Sequence, residues 1–114
     1  MEWKKSLSEI KDIIKTVSVF SNTEGGRMLI GLSETGTVAG VEIGKGTIEN
    51  ITNLISQHTE PKIHPRIIVK TTGGKDIIII DVTKSHDSPV LADGISYIRV
   101  GKSSMKMSKH GEKL

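Results

Sequence analysis

The hydrophobic pattern of the chain changes from helical to strand-like around Gly25-Gly26. Upstream, apolar residues recur at spacings of three and four, which places them on one helical face: Leu7, Ile10, Ile13, Ile14, Val17 and Phe20. Ser6 is a suitable N-cap with Glu9 three positions later, a capping-box pattern, so a helix is predicted to begin near Leu7. Downstream, the apolar run from Met28 to Leu32 is typical of a short buried strand.

The rest of the pattern predicts one more helix and several hairpins. Thr47 is a candidate N-cap for the helix, and Pro61 is its stop. Its expected inner face carries Ile48, Ile51, Leu54, Ile55 and a half-buried His58. Strands are predicted at 27–33, 37–41, 66–70, 76–82, 90–91 and 95–100. Ile77–Ile80 is continuously apolar, which indicates a central strand covered on both faces.

These elements predict an α+β domain. We expect a mixed β-sheet of five to six strands, built largely from hairpins, with two main helices packed on it. Residues 1–104 form the predicted domain. Residues 105–114 have no clear period and few core-forming residues, so they are predicted to be a basic flexible tail or a linker.

Composition and charge narrow the classes of function. The chain has 114 residues, a net charge of +3 and no cysteine, which excludes disulfides and thiolate metal sites. No apolar run approaches the roughly 20 residues that span a membrane, so no membrane partner and a cytoplasmic location are expected. The charge is uneven, because residues 1–60 hold six Lys/Arg against eight Asp/Glu, whereas residues 61–114 hold ten against five. This basic second half fits a polyanion-binding surface, or a solvated tail that keeps the chain soluble.

Motifs for several chemistries are missing from the sequence. Gly44-Lys45-Gly46-Thr47 departs from a phosphate-binding loop, since Ala39 stands where the first glycine belongs and Gly46 where Ser or Thr should follow the lysine. The four histidines show no metal-binding spacing, and no serine lies in a Gly-x-Ser-x-Gly elbow. The sequence therefore predicts no cofactor and no metal, and an enzyme is the less favoured class.

Four segments resemble the Schlafen/AlbA-like putative DNA-binding domain family. They are Glu2-Trp3-Lys4-Lys5-Ser6-Leu7, Phe20–Gly26, Ile30–Gly36 and Tyr97–Ser104. The resemblance implies an α+β fold and the N-terminal domain of a prokaryotic transcriptional regulator. It also implies acidic residues for RNA cleavage in some relatives, which Glu2 and Glu34 match here. The family's earlier glutamate would precede Met1, so the matched set is incomplete.

Basic and hydroxyl residues at the end of the last strand suit phosphate binding without catalysis. The first candidates for nucleic-acid binding are Arg99, Lys102, Ser103, Ser104 and Lys106, and the second-ranked candidates are Arg27 and Lys5. Arg99 alternates with apolar Ile98 and Val100, so it is expected to leave the core face and either meet phosphate or form a structural ion pair. With few aromatics for base stacking, backbone contact of low sequence specificity is favoured, to DNA or to structured RNA.

The polar corner between the first helix and the first strand has two interpretations. Asn22, Gly25 and Gly26 either form a helix C-cap that presents the basic residues or let the backbone approach a ligand or a second subunit. Two other functions therefore stay open. One is a metal-dependent endoribonuclease using Glu2 and Glu34, and the other is a non-catalytic module for homo-oligomerisation or ligand sensing.

Overall fold

Two helices and two sheets make up the described part of the chain. The computed structural model describes residues 1–86, 89–101 and 103–106. Within them lie helices α1 (Ile10–Asn22) and α2 (Thr47–His58) and eight strands: β1 (Glu2–Lys4), β2 (Gly26–Ile30), β3 (Thr59–Glu60), β4 (Arg66–Thr72), β5 (Lys75–Val82), β6 (Leu91–Ala92), β7 (Ile95–Val100) and β8 (Ser103–Lys106). The strands form two sheets of four, and the predicted α+β class is confirmed.

The first sheet has the strand order β1-β2-β5-β4, with β1 parallel to β2 and the other neighbours antiparallel. The prediction of a central strand at Ile77–Ile80 is confirmed, because β5 lies between β2 and β4 and all four isoleucines are buried. Ile78 and Ile80 belong to the main core, whereas Ile77 and Ile79 lie on the opposite face. The sequence did not predict β1, since three residues, two of them charged, carry no strand pattern.

The second sheet, of order β3-β6-β7-β8, packs against α1 through β7 and β6. Helix α1 also supplies Ile13 and Val17 to the core shared with the first sheet, so it contacts both sheets. Helix α2 lies against α1 and buries Ile51 and Ile55 in the same core. No helix in the described ranges is long and apolar enough to cross a membrane.

The start of the first helix differs from the prediction in its detail. Ser6 does act as a cap, but for a single 3₁₀ turn (Leu7–Glu9), in which its hydroxyl accepts from the Ser8 N–H at 3.2 Å. The carboxylate of Glu9 accepts from Lys5 N–H instead of the N-cap N–H that a capping box would use. The α-helix proper therefore begins at Ile10.

The corner after α1 brings backbone close to backbone. Gly25 has φ of +76° and donates its N–H to the Phe20 carbonyl at 2.8 Å, which closes the helix. A Cβ at Gly25 would lie 2.7 Å from the Val82 carbonyl oxygen, and one at Gly26 would lie 2.9 Å from the Phe20 ring. The two glycines therefore permit both the left-handed turn and the close approach of α1, β2 and β5.

Two predicted hairpins change in extent. The prediction of a strand at 37–41 is wrong, because only one β-bridge, between Leu32 and Val38, extends the pairing after β2. The N–H groups of Ala39 and Gly40 both donate to the Gly31 carbonyl at 2.9 Å, so two residues oppose one and the ladder ends there. The β4–β5 hairpin is longer than predicted, since positive φ at Gly73 and Gly74 allows a two-residue turn.

The C-terminal hairpin extends across the predicted domain boundary. Strand β8 pairs with β7 from Ser103 to Lys106, although its sequence shows no strand period. The predicted division between residues 104 and 105 therefore cuts through a strand in the structure, and residues 107–114 of the predicted tail lie outside the described residues.

Candidate nucleic-acid interface

A surface cleft of about 450 Å³ lies at the β1 edge of the first sheet. We name it the β1 cleft; its lining includes Glu2, Trp3, Lys5, Ser33, Glu34 and Arg99. Four of these were singled out from the sequence, although Lys5 and Arg99 are separated by most of the chain. Strand β1 brings them together, because Lys5 directly follows β1 and Arg99 of β7 lies within 3.6 Å of Glu2 in β1.

Arg99 makes an ion pair and still faces the cleft. Its Nη2 lies 3.6 Å from Glu2 Oε1, and its Cζ lies 5.8 Å from the centre of the Phe20 ring. The side chain is 31% exposed. A guanidinium carries five N–H donors, so one long contact to Glu2 leaves donors for a phosphate. The two interpretations of Arg99, structural partner and phosphate contact, are therefore compatible in this geometry.

Strand β8 places two further candidates beside β7. Ser104 is directly opposite Arg99, and Lys106 is opposite Tyr97, so all four residues occupy one face of the hairpin. The ammonium of Lys15 lies 5.1 Å from the centre of the Tyr97 ring, which adds a cation from α1 to this face. Lys102 and the side chain of Ser103, both predicted contacts, lie outside what the structure describes.

Arg27 lies in another part of the molecule from Arg99. It is opposite Asp81 in the β2–β5 ladder, and its Nε and Nη2 donate to the two carboxylate oxygens at 2.8 and 3.4 Å. The hydrogen bonds and the charge of Asp81 raise the pKa of Arg27 above its ordinary value. Arg27 therefore does not join the β1 cleft, and its charge is matched by a neighbouring strand.

The acidic residues of the ribonuclease hypothesis do share the β1 cleft. Glu2 and Glu34 both line it, but Glu2 is also engaged by Lys4 at 3.3 Å and by Arg99. Over residues 1–86, 89–101 and 103–106, no three His, Asp or Glu side chains gather closely enough to hold a metal ion.

The corner residue Asn22 holds the second sheet in place. Its Nδ2 donates to the carbonyls of Val90 and Tyr97 at 3.0 Å each, and its Oδ1 accepts from the Val90 N–H at 2.7 Å. Ser18 adds a bond from its hydroxyl to the Val90 carbonyl at 2.7 Å. These bonds fix β7, and hence Arg99, against α1.

The family model described as Schlafen, AlbA_2 matches residues 1–108. The chain belongs to the Schlafen/AlbA_2 family. No curated protein is similar enough to count as a match. The recognition made from the sequence motifs is thus confirmed, and it points to a nucleic-acid-related domain.

Two solved structures share the fold of this Schlafen/AlbA_2 domain. The DIP2311 protein from Corynebacterium diphtheriae has a TM-score of 0.73 at 21% identity; the match covers 88% of this chain and 18% of that protein. The N-terminal domain of a protein from Nitrosomonas europaea, named "Putative ATP-dependent DNA Helicase RecG-related Protein", has a TM-score of 0.57 at 18% identity. That match covers 94% of this chain and 81% of the neighbour. The chain thus spans under a fifth of the DIP2311 chain and most of the second neighbour.

Sequence reasoning missed a second basic surface in the Schlafen/AlbA_2 domain. A cavity of about 580 Å³ is lined by two segments that flank the β4–β5 hairpin, and five of its residues are basic: Lys62, His64, Arg66, Lys84 and His86. We name these five residues the basic cluster. The predicted hairpin was the available signal, because the segments that enter and leave a hairpin must lie side by side at its open end.

Proposed function

We propose that this Schlafen/AlbA_2 domain binds nucleic acid through the phosphate backbone, with DNA favoured and low sequence specificity, as part of a transcriptional regulator in a prokaryotic cytoplasm. The observation that carries the proposal is the convergence of Lys5 and Arg99 on one cleft, with Ser104 and Lys106 continuing the surface along the β7–β8 hairpin. Family membership supports a nucleic-acid-related role.

The β1 cleft offers the groups that phosphates need. Lys5 is exposed and supplies an ammonium, and the half-buried Arg99 supplies a planar fork held in place by the Phe20 ring. The carboxylates of Glu2 and Glu34 oppose an anion inside the cleft. A phosphate is therefore expected at the rim, near Lys5, Arg99 and the hairpin.

Low specificity follows from where the cations lie. Helix α2 contains no lysine or arginine, so it lacks the phosphate contacts that position a helix in the major groove. The proposed contacts come from strand ends and a hairpin, and they carry no base information of their own. Arg27 is not part of this surface, because Asp81 engages it on the first sheet.

The test is fluorescence anisotropy with labelled duplex DNA, single-stranded DNA and structured RNA across a salt series. Lys5→Gln combined with Arg99→Gln should weaken binding and reduce the slope of log K against log salt by about two. A control with the same loss of charge is Lys45→Gln combined with Lys75→Gln, at two exposed lysines outside the β1 cleft and away from the β7–β8 hairpin. Equal slopes in the two double variants would refute the cleft as the binding site.

A metal-dependent endoribonuclease is the second candidate, favoured by Glu2 and Glu34 lining the same cleft as Lys5 and Arg99. Carboxylates beside a phosphate-binding surface can hold a divalent ion against the scissile phosphate. The binding samples with structured RNA should then lose intact RNA when manganese is added, and Glu34→Gln should prevent the loss. Intact RNA in the manganese samples of the unmodified chain would leave binding as the only function of the cleft.

A further inference from the structure

The topology gathers the basic cluster at one end of the first sheet. Arg66 begins β4 and is opposite Asp81 near the end of β5. Residues 62–65 precede the β4–β5 hairpin and residues 83–86 follow it, so both segments lie at the open end of that hairpin. Lys62 and His64 thereby come next to Lys84 and His86, around the cavity of about 580 Å³.

Among the residues that the structure describes, the lining of this cavity carries more positive than negative charge. Asp81 is the carboxylate in the cavity lining, and its two oxygens already accept from Arg27. In the part of the chain that the structure describes, no acidic group lies within 4.0 Å of the Lys62, Arg66 or Lys84 charge. All three side chains belong to exposed residues. Three cations that share one cavity and have no ion-pair partner among the described residues repel one another, and an anion would relieve that repulsion.

Buried hydrogen bonds hold both basic segments in place. The buried Thr59 hydroxyl donates to the Ile55 carbonyl of α2 at 2.8 Å and accepts from the Ile63 N–H at 2.9 Å, which anchors the first segment. Ser85 donates its N–H to the Ser21 carbonyl of α1 at 2.8 Å, which anchors the second. The backbone under the cluster is thus fixed to both helices before any ligand arrives, and little ordering entropy is lost on binding.

We propose that the basic cluster is a second phosphate-binding surface, which contacts the backbone of the same nucleic acid that meets the β1 cleft. The identity of this ligand as nucleic acid rests on the proposed function. The chemistry of recognition is that of a phosphodiester: Arg66 can donate two parallel N–H bonds, and Lys62 and Lys84 act as point charges.

The position of the cluster defines the size of the ligand. It lies at the β4 edge of the first sheet, whereas the cleft lies at the β1 edge, so the two are at least three strand spacings, or about 14 Å, apart across the sheet. They also lie at opposite ends of β2, because residues 32–34 of the cleft follow β2 and Arg66 is level with Arg27 near its start. A mononucleotide cannot reach both edges, but a polynucleotide of several residues can. Nucleic acid of that length should therefore bind much more tightly than a dinucleotide, because its second contact is intramolecular.

The test compares three matched variants by anisotropy across a salt series with a labelled duplex DNA. Lys62→Gln combined with Lys84→Gln removes two charges of the cluster. The same loss of charge is made at Lys5 with Arg99 and, as a control, at Lys45 with Lys75, which line neither cavity. The cluster variant should weaken binding about as much as the cleft variant and reduce the salt slope by about two. Asp81→Asn should do the opposite and strengthen binding, since it removes the acid and releases Arg27.

A spectroscopic readout separates direct contact from a change in fold. The ring proton signals of His64 and His86 should move when a short duplex is added, whereas that of His58, which is engaged by Asp93 at 2.5 Å, should stay. If the His64 and His86 signals shift and only the cluster variant binds weakly, the basic cluster is supported and the β1 cleft is refuted. Weak binding only in the cleft variant, with both signals still, would refute the basic cluster alone. A chain that binds none of the nucleic acids would refute both.

Discussion

The side-chain amide of Asn22 and the backbone of Val90 are joined by two hydrogen bonds, one to the N–H and one to the C=O of Val90. Asn22 Oδ1 accepts from the Val90 N–H at 2.7 Å, and Nδ2 donates to the Val90 carbonyl at 3.0 Å. The same Nδ2 reaches the Tyr97 carbonyl at 3.0 Å. One amide at the end of α1 thus satisfies backbone groups of a loop and of β7, which are 68 and 75 residues away in sequence. Few other side chains have both a donor and an acceptor in this geometry.

Replacing Asn22 by Asp should therefore destabilise the domain. The carboxylate keeps the acceptor for the Val90 N–H but loses both donors. The Tyr97 carbonyl then loses the Asn22 donor, the Val90 carbonyl keeps only the Ser18 hydroxyl, and both carbonyls face a negative charge. We expect the free energy of unfolding to fall by about 2–4 kcal/mol, measured by urea unfolding. A loss below about 0.5 kcal/mol would show that water or a rearranged loop replaces the amide.

Ser18 and Ser21 offer a matched pair on the same helix, since both are fully buried. The Ser18 hydroxyl donates to the Val90 carbonyl at 2.7 Å and accepts from the Tyr97 N–H at 3.1 Å. The Ser21 hydroxyl has no partner among the described residues. Ser18→Ala should thus cost about 1–3 kcal/mol, while Ser21→Ala should be neutral or stabilising. Urea unfolding of the two variants side by side measures the difference, and equal losses would contradict the assigned bonds.

The hydrogen bonds of Asn22 illustrate which parts of the fold could be predicted from the sequence. Asn22 stands out as a polar residue between a helical pattern and Gly25-Gly26, so its structural role is visible locally. Its partners are not, because Val90 and Tyr97 come from a sheet whose position depends on packing. The run Ile77–Ile80 predicts a central strand since burial on both faces leaves a continuous apolar signature. Strand β1 leaves no such signature, because it pairs on one side only.

The candidate site divides in the same way. The chemistry of Lys5 and Arg99 is readable from residue type, but their convergence depends on β1, which was not predicted. Arg27 was grouped with them because it is basic and next to the glycine corner, yet the ladder register places it opposite Asp81. The basic cluster was not predicted, because its residues come from two segments that are separated in sequence by the β4–β5 hairpin. Register and long-range pairing, rather than residue chemistry, were the missing information.

Gly25 and Gly74 have nearly the same φ, +76° and +77°, but different surroundings. A Cβ at Gly25 would lie 2.7 Å from the Val82 carbonyl oxygen, whereas one at Gly74 would meet nothing within 4 Å. Alanine at Gly74 should cost only the backbone strain of about 1 kcal/mol. Alanine at Gly25 should cost at least about 2 kcal/mol more, because β5 must shift. Thermal unfolding of both variants checks this, and equal costs would mean that the corner relaxes freely.

Lys4 is a buried lysine whose charge is held by two acids. It is 5% exposed, contacts the carboxylate of Asp12 and lies 3.3 Å from Glu2. Burial alone would lower the pKa of Lys4, but the hydrogen bond and charge of Asp12, together with Glu2, outweigh it and raise the pKa above the ordinary 10.5. The folded chain therefore holds this proton to a higher pH than the unfolded chain does.

Linkage then fixes the pH at which this contribution disappears. Since the folded pKa is the higher one, the stabilisation from Lys4 is complete below the unfolded value of 10.5 and is lost as the pH rises through the folded value. We expect Lys4→Met to lower the free energy of unfolding at about pH 9, and the gap between the two chains to shrink at about pH 11.5. Urea unfolding of both chains at both pH values gives the gap directly. A gap that stays constant would mean that Lys4 stabilises β1 by packing of its aliphatic part and not by its charge.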